Sequence, residues 1–281
     1  MSLGVVFKGP EGIVLAADSR VTLNMEMTGD TGKILIPSTY DNATKLLEFQ
    51  NQKYVGAVTY GIGAIGQKEP RTAHSFLPEF ENELQQKGNK RLPVEEFAKQ
   101  LGQFFVKQWE ACMPKEAKTP DLIFLVGGYD QDAPYGRVFQ IAIPSHPDPI
   151  EQNKNQFGIT WGGQLEYTTR LIKGMDPVLP SLVQKYLNLT NEQKVSLESH
   201  LDQNLSIKIP YQFLPLQDCV NLSIFLIRTS IEIQTWTLGI RGVGGAIDVA
   251  TVTRTEGFKI VQKKKILGQF SHHGGQNEQS D

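Results

Sequence analysis

Two β-prone apolar runs open the chain, Leu3-Gly4-Val5-Val6-Phe7 and Ile13-Val14-Leu15-Ala16-Ala17, with Lys8-Gly9-Pro10-Glu11-Gly12 between them. Runs of this kind around a brief glycine-containing link predict a β-hairpin. Pairing Phe7 with Ile13 across the turn sets Ser2 opposite Asp18, so a hydroxyl and a carboxylate meet at one sheet edge. Residues 44–49 and 54–60, around Gln50-Asn51-Gln52-Lys53, predict a second hairpin, and 120–129 with 136–143 a third. Between the first two, residues 23–43 carry Gly29, Gly32, Pro37 and a cluster of Thr, Asp and Asn. That stretch reads as an inserted loop with a short strand at Lys33-Ile34-Leu35-Ile36.

The apolar period changes over residues 72–86 and 92–109, where Phe76, Phe80 and Leu84, then Phe97, Leu101 and Phe105, recur every four residues. Two neighbouring helices follow, the second with Pro93 suited to a first turn. Residues 157–164 form a glycine-rich strand running into a helix at 165–173, and the polar stretch 185–212 reads as a partly helical insertion. A broad apolar face at Val220, Phe225 or Ile224, Ile227 and Ile231 predicts a long helix over 216–236, with a turn and strand at 241–252. Residues 262–281, with Lys263-Lys264-Lys265 and then Gly, Gln, Ser and His, read as a loose tail. Hairpins, a helix pair, a further hairpin and closing helices define an α+β domain over residues 2–261, with sheets packed between helical layers.

Net charge −2 and a pI near 6.2 give no support to a nucleic-acid-binding surface. Cys112 and Cys219 stand far apart and the five histidines are scattered, so neither a disulfide framework nor a metal site is indicated. No apolar run reaches the roughly 18–20 residues of a membrane span, and the N-terminus lacks the regions of a signal peptide. A cytoplasmic protein without membrane or nucleic-acid partners is expected.

Ser2 follows the initiator methionine, and a small residue there is what methionine removal requires. Once exposed, it carries a hydroxyl and an α-amine of pKa near ~7.7–8.0, so nucleophile and base reside on one residue. A competing motif is Gly61-Ile62-Gly63-Ala64-Ile65-Gly66, which satisfies the dinucleotide-binding pattern. That fingerprint should open a helix after the first strand of a parallel unit. Here two hairpins precede it, and a nucleotide-binding enzyme is the least supported reading.

Ser2 to Thr22, with Gly12 and Ala16-Ala17-Asp18-Ser19-Arg20, resembles the opening of a proteasome-type β subunit, an N-terminal nucleophile (Ntn) hydrolase of the threonine-type peptidase family. Counted without a gap, the family's N-terminal threonine falls on Ser2. Lys45 resembles the family's active-site lysine; Lys33, at shorter spacing, is the other candidate and is not followed closely by a glycine-containing strand. Near Asp18 and the Ser2 amine, Lys45 would help hold that amine neutral while Asp18 keeps Lys45 charged and oriented. The family's oxyanion hole uses a backbone N–H that falls on Tyr60 or Gly61, and Arg20 fixes Asp18 and its turn.

The resemblance extends over residues 2–22, 44–86, 120–173 and 216–261, leaving 23–43 and 185–212 as insertions. It implies a four-layer αββα Ntn-hydrolase sandwich and a peptidase or amidase without metal or organic cofactor. It also implies a homo-oligomeric ring, with an ATPase unfoldase as a further partner. Three accessory positions depart from the family pattern: Trp161 stands beside the glycines where a serine is usual, Ile240 where an aspartate is usual, and Val243 where a serine is usual. Those departures favour the alternative, a non-catalytic structural or gating subunit.

Overall fold

In the computed structural model the described residues are 2–29, 32–66, 69–88, 90–114 and 119–266. Strands β1 (Leu3–Lys8) and β2 (Ile13–Ala17) are buried along their whole length, which is why both read as continuous apolar runs rather than alternating ones. They pair as a hairpin, one residue away from the expected register: Phe7 faces Val14 and Lys8 faces Ile13. The link is Gly9 to Gly12, closed by the Gly9 N–H donating to the Gly12 carbonyl at 2.9 Å. Lys8 belongs to the strand because its stem is buried and its amine donates to the Asn153 carbonyl at 2.8 Å. Leu3, not Ser2, is therefore the residue opposite Asp18.

Residues 23–29 and 32–40 are strand rather than loop, and the short strand expected at 33–36 is part of the second of them. Strands β3 (Val21–Gly29) and β4 (Gly32–Tyr40) pair from Val21 with Tyr40 to Gly29 with Gly32. A two-stranded ribbon consists of edges only, so it tolerates Pro37, whose presence had argued against a strand. The second hairpin joins β5 (Leu46–Glu48) to β6 (Val55–Gly61). A 3₁₀ turn at Ala73–Phe76 leads into α1 (Leu77–Gln86), and α2 (Val94–Cys112) follows Pro93. The phenylalanines predicted on these helices interlock, with Phe80 and Phe97 rings 5.6 Å apart.

Strands β7 (Leu122–Gly128) and β8 (Arg137–Ile143) make the third hairpin, and β9 (His146–Gln152) adds a strand that the sequence pattern hid. It carries Pro147 and Pro149 and lacks an apolar stripe, as an outer strand can. Strand β10 (Gly158–Gly163) runs into α3 (Glu166–Lys173); the polar insertion forms α4 (Leu179–Leu187) and α5 (Asn191–Leu205). The α5 start is fixed by a capping box of Thr190 and Gln193. Helix α6 (Leu216–Trp236) has the predicted bounds, and β11 (Asp248–Thr253) and β12 (Gly257–Gln262) complete the fold.

The chain is thus α+β, with antiparallel five-stranded sheets ordered β10-β1-β2-β11-β12 and β5-β6-β7-β8-β9. Along β1 the pleat divides the core: Leu3, Val5 and Phe7 pack with Val220 and Ile227 of α6, while Val6 packs with Val58 and Leu125 of the other sheet. Helix α2 lies on β7, β8 and β9. Within residues 263–266, expected to be loose, Lys264 is held: its backbone N–H donates to Asp248 Oδ1 at 2.9 Å. The rest of the expected tail, 267–281, lies outside the described residues. Among the described residues no helix is long and apolar enough to cross a membrane.

Candidate active site

Ser2 precedes β1 and is held by backbone contacts to β10, where the Gln164 N–H donates to its carbonyl at 2.8 Å. Gly163 has φ +98°, and a Cβ there would stand 1.9 Å from the Ser2 carbonyl oxygen. Only glycine lets β10 approach Ser2 this closely. Ser2 itself is 4% exposed. It forms part of the wall of a cleft of about 550 Å³, together with Tyr60, Gly61, Asp121, Trp161 and Gly163. It also lines a smaller cavity with Lys45, Thr59 and Tyr60.

Asp18 follows β2 at the end where β1 begins, and its carboxylate is buried. Oδ1 accepts from the Leu3 N–H at 2.9 Å and from Lys45 Nζ at 2.7 Å. Oδ2 accepts from the Arg20 N–H at 3.1 Å and the Gly244 N–H at 3.0 Å. Four donors thus converge on one buried carboxylate. Lys45, just before β5, also donates to the Arg20 carbonyl. Burial holds the Lys45 ammonium below the ordinary lysine value; Asp18 opposes that, while Lys264 and Arg20 add to it.

The Arg20 guanidinium turns away from Asp18 and grips Asp41, with Nε to Oδ1 at 2.5 Å and Nη2 to Oδ2 at 2.8 Å. The hydrogen bond from Arg20 to Asp18 thus comes from its backbone. Its side chain is held above the usual arginine value by the hydrogen bond to Asp41, whose carboxyl is pulled down by the same bond. Asp41 had no sequence signal, because its partner lies across the β3–β4 ribbon. Burial pushes the Tyr60 phenol up to about 12, so it stays protonated beside Ser2. Gly61 closes β6 at the cleft wall.

The three departing positions have distinct surroundings. The Trp161 indole lines the cleft and donates to Thr169 Oγ1 at 3.3 Å. Val243 is buried in the core under α6, its N–H donating to Gln234 Oε1 at 3.0 Å, and Ile240 is exposed. The neighbouring Gly244 serves Asp18 and accepts from the Ser19 N–H at 3.0 Å. Asp121 and Gln140, read from the sequence only as parts of the third hairpin, add polar groups to the cleft. Both sit where a strand of the second sheet meets the cleft, a position that strand alternation alone does not distinguish. The Gly61 to Gly66 motif opens no helix; Ile65 and Arg71 instead exchange backbone hydrogen bonds at 2.8 Å. No group of three or more His, Cys, Asp or Glu side chains suited to a metal ion occurs among the described residues.

No protein-family model matches the sequence, and no curated protein matches it. Solved structures of similar fold include Anbu (ancestral beta-subunit) from Yersinia bercovieri, at 16% identity and TM-score 0.54, covering 93% of this chain and 88% of that one. An Anbu (Gly-1) mutant from Hyphomicrobium sp. strain MC1 is similar at 15% identity and TM-score 0.53, covering 94% of this chain and 86% of that one. These findings correct the assignment to the proteasome-type β-subunit family: what the chain shares with them is the fold of Anbu. The physical reason lies in the motif that carried the assignment. Ala16 and Ala17 are apolar because both faces of β2 are covered, and the Asp18 carboxylate accepts from backbone N–H groups that converge on it. The motif residues answer to the fold.

Proposed function

We propose that this chain is an N-terminal-nucleophile hydrolase of peptide or amide bonds, with Ser2 as the attacking residue once Met1 is removed. Ser2 Oγ adds to the carbonyl carbon, and its proton passes to the Ser2 α-amine. A backbone N–H of Tyr60 or Gly61 stabilises the oxyanion. The resulting ammonium returns the proton to the leaving amine as the C–N bond breaks, and water then hydrolyses the ester on Ser2. Lys45, held by Asp18, keeps the α-amine neutral by placing a cation beside it. Arg20 supports Asp18. The helix–sheet–sheet–helix stacking is read here as the four-layer Ntn sandwich, and the chain as one subunit of a ring of identical copies in the cytoplasm.

The observation that supports this most is that Ser2 lines both the open cleft and the smaller cavity that Lys45 also lines. In this reading substrate comes to Ser2 from the cleft and the tuning cation from the smaller cavity. The test is mass spectrometry of the intact protein before and after a peptide β-lactone or epoxyketone. Loss of Met1 without acetylation, and an adduct mapped to Ser2, are expected. A retained Met1, or a mature chain that takes no label, would sink the reading.

A second reading, a non-catalytic structural or gating subunit, draws on Val243 and Ile240, since one is buried core and the other faces outward. Neither supplies a hydroxyl or carboxylate to Ser2. A matured protein without label, whose Ser2→Ala form assembles and behaves as the wild type does, would favour it.

A further inference from the structure

A second buried lysine–aspartate pair stands beside the first. Asp248 opens β11 opposite Ala17, the residue before Asp18, so the two carboxylates arise from adjacent strands at the same end of the sheet. The Asp248 side chain is 3% exposed and that of Lys264 is 11% exposed. Lys264 Nζ donates to Asp248 Oδ2 and, at 3.3 Å, to Ser19 Oγ. Ser19 is itself buried and directly follows Asp18. The C-terminal segment beyond β12 therefore brings its ammonium to the residue next to the carboxylate that holds Lys45.

We propose that Lys264 is a positioning residue for Lys45: with Asp248 it forms a second ion pair whose ammonium repels the Lys45 proton and whose carboxylate attracts it. The charged groups that bear on Lys45 are Asp18, Arg20 and Asp41 on the side of β2 and β4 and Lys264 from the C-terminal segment, and Asp248, the partner of Lys264, stands on β11 opposite Ala17. His74, from the turn before α1, and Lys263 line the neighbouring cavity with Asp248. Lys264 Nζ, 3.3 Å from Ser19 Oγ, thus stands one residue along the chain from the Asp18 carboxylate that holds Lys45 at 2.7 Å, and a cation there disfavours the Lys45 ammonium. A residue that only anchored the chain end would leave the proton affinity of Lys45 unchanged. The consequence for catalysis rests on the reading of Ser2 given above, because Lys45 acts there through the Ser2 amine.

The experiment follows the titration of the Lys45 side chain by NMR in the full chain carrying ¹³C-labelled lysine. Lys264→Met leaves Asp248 unopposed and is expected to raise the Lys45 midpoint by roughly half to one pH unit. Asp248→Asn leaves Lys264 unopposed and should lower it by a similar amount. The double variant Asp248→Asn/Lys264→Met, with neither charge, and Lys264→Arg, with both, should titrate close to the wild type. If a single variant does not fold, the other single variant and the double still supply the comparison. An unchanged midpoint, or a shift of one sign in both single variants, overturns the proposal. Labelling of Ser2 by the β-lactone against pH is read in parallel. Wild-type protein that takes no label refutes the proposed function, while the Lys45 titrations decide this inference by themselves.

Discussion

The ammonium of Lys45 stands 2.7 Å from Oδ1 of Asp18, with the aspartate side chain 0% and the lysine side chain 7% exposed. Removing one member of such a pair leaves an uncompensated buried charge, so Lys45→Met is expected to destabilise the protein by about 3–5 kcal/mol. Asp18→Asn/Lys45→Met removes both charges and should cost less than the lysine substitution alone. Denaturant unfolding of the three proteins checks the order.

Ser2→Ala separates chemistry from folding. The hydroxyl is small and sits at the end of β1, so its loss should change stability by no more than about 1 kcal/mol. Acylation by a β-lactone should fall at least roughly a thousandfold, as expected for removal of a nucleophile. Adduct mass and thermal melting, measured on the same preparation, report the two effects.

Gly163→Ala tests the close approach of β10 to Ser2. Gly239 also has positive φ, +119°, but a Cβ there would meet nothing within 4 Å. Gly239→Ala should therefore cost only backbone strain, on the order of 1–3 kcal/mol. Gly163→Ala adds the collision with the Ser2 carbonyl and should cost distinctly more, with loss of Ser2 labelling in whatever fraction remains folded. Melting temperatures and labelling yields of the pair decide.

Arg137 gathers Glu151, Glu95 and Asp130 at the far end of the second sheet, with Glu151 Oε2 at 2.8 Å. The hydrogen bond from Arg137 holds the Glu151 carboxyl below the usual glutamate value. A depressed carboxyl pKa stabilises the fold fully above the unfolded value, near ~4.3, and that contribution is lost as pH falls through the lower folded value. Wild-type stability should accordingly decline below about pH 5, and Glu151→Gln should flatten part of the decline. Urea midpoints measured from pH 6 to pH 3 test this.

How much was legible varied with where the governing force acts. Helix α6 was readable to its ends because its apolar period is a local signal, although Phe225, expected on the apolar face, is exposed and Leu226 is buried instead. The register of β1 on β2 was misread by one residue because Lys8 looks like a turn residue, and only burial between the sheets makes it a strand residue. β9 was invisible for the opposite reason: an exposed outer strand has no apolar stripe to announce it.

The sequence by itself determined the three hairpins outside the β3–β4 ribbon, the helices α1, α2, α3 and α6, the near-neutral charge and the position of a serine directly behind the initiator methionine. Periodicity records which faces of a segment avoid water, and that needs only neighbours along the chain. Tertiary structure decided that Lys45 reaches Asp18, that Arg20 turns to Asp41, and that Lys264 crosses to Asp248 and Ser19. Each of these contacts joins residues from separate segments, and burial of apolar surface between two sheets and under α6 brings them together. Charge pairing then settles which polar groups can remain inside, because a buried carboxylate without donors would cost more than the fold can supply.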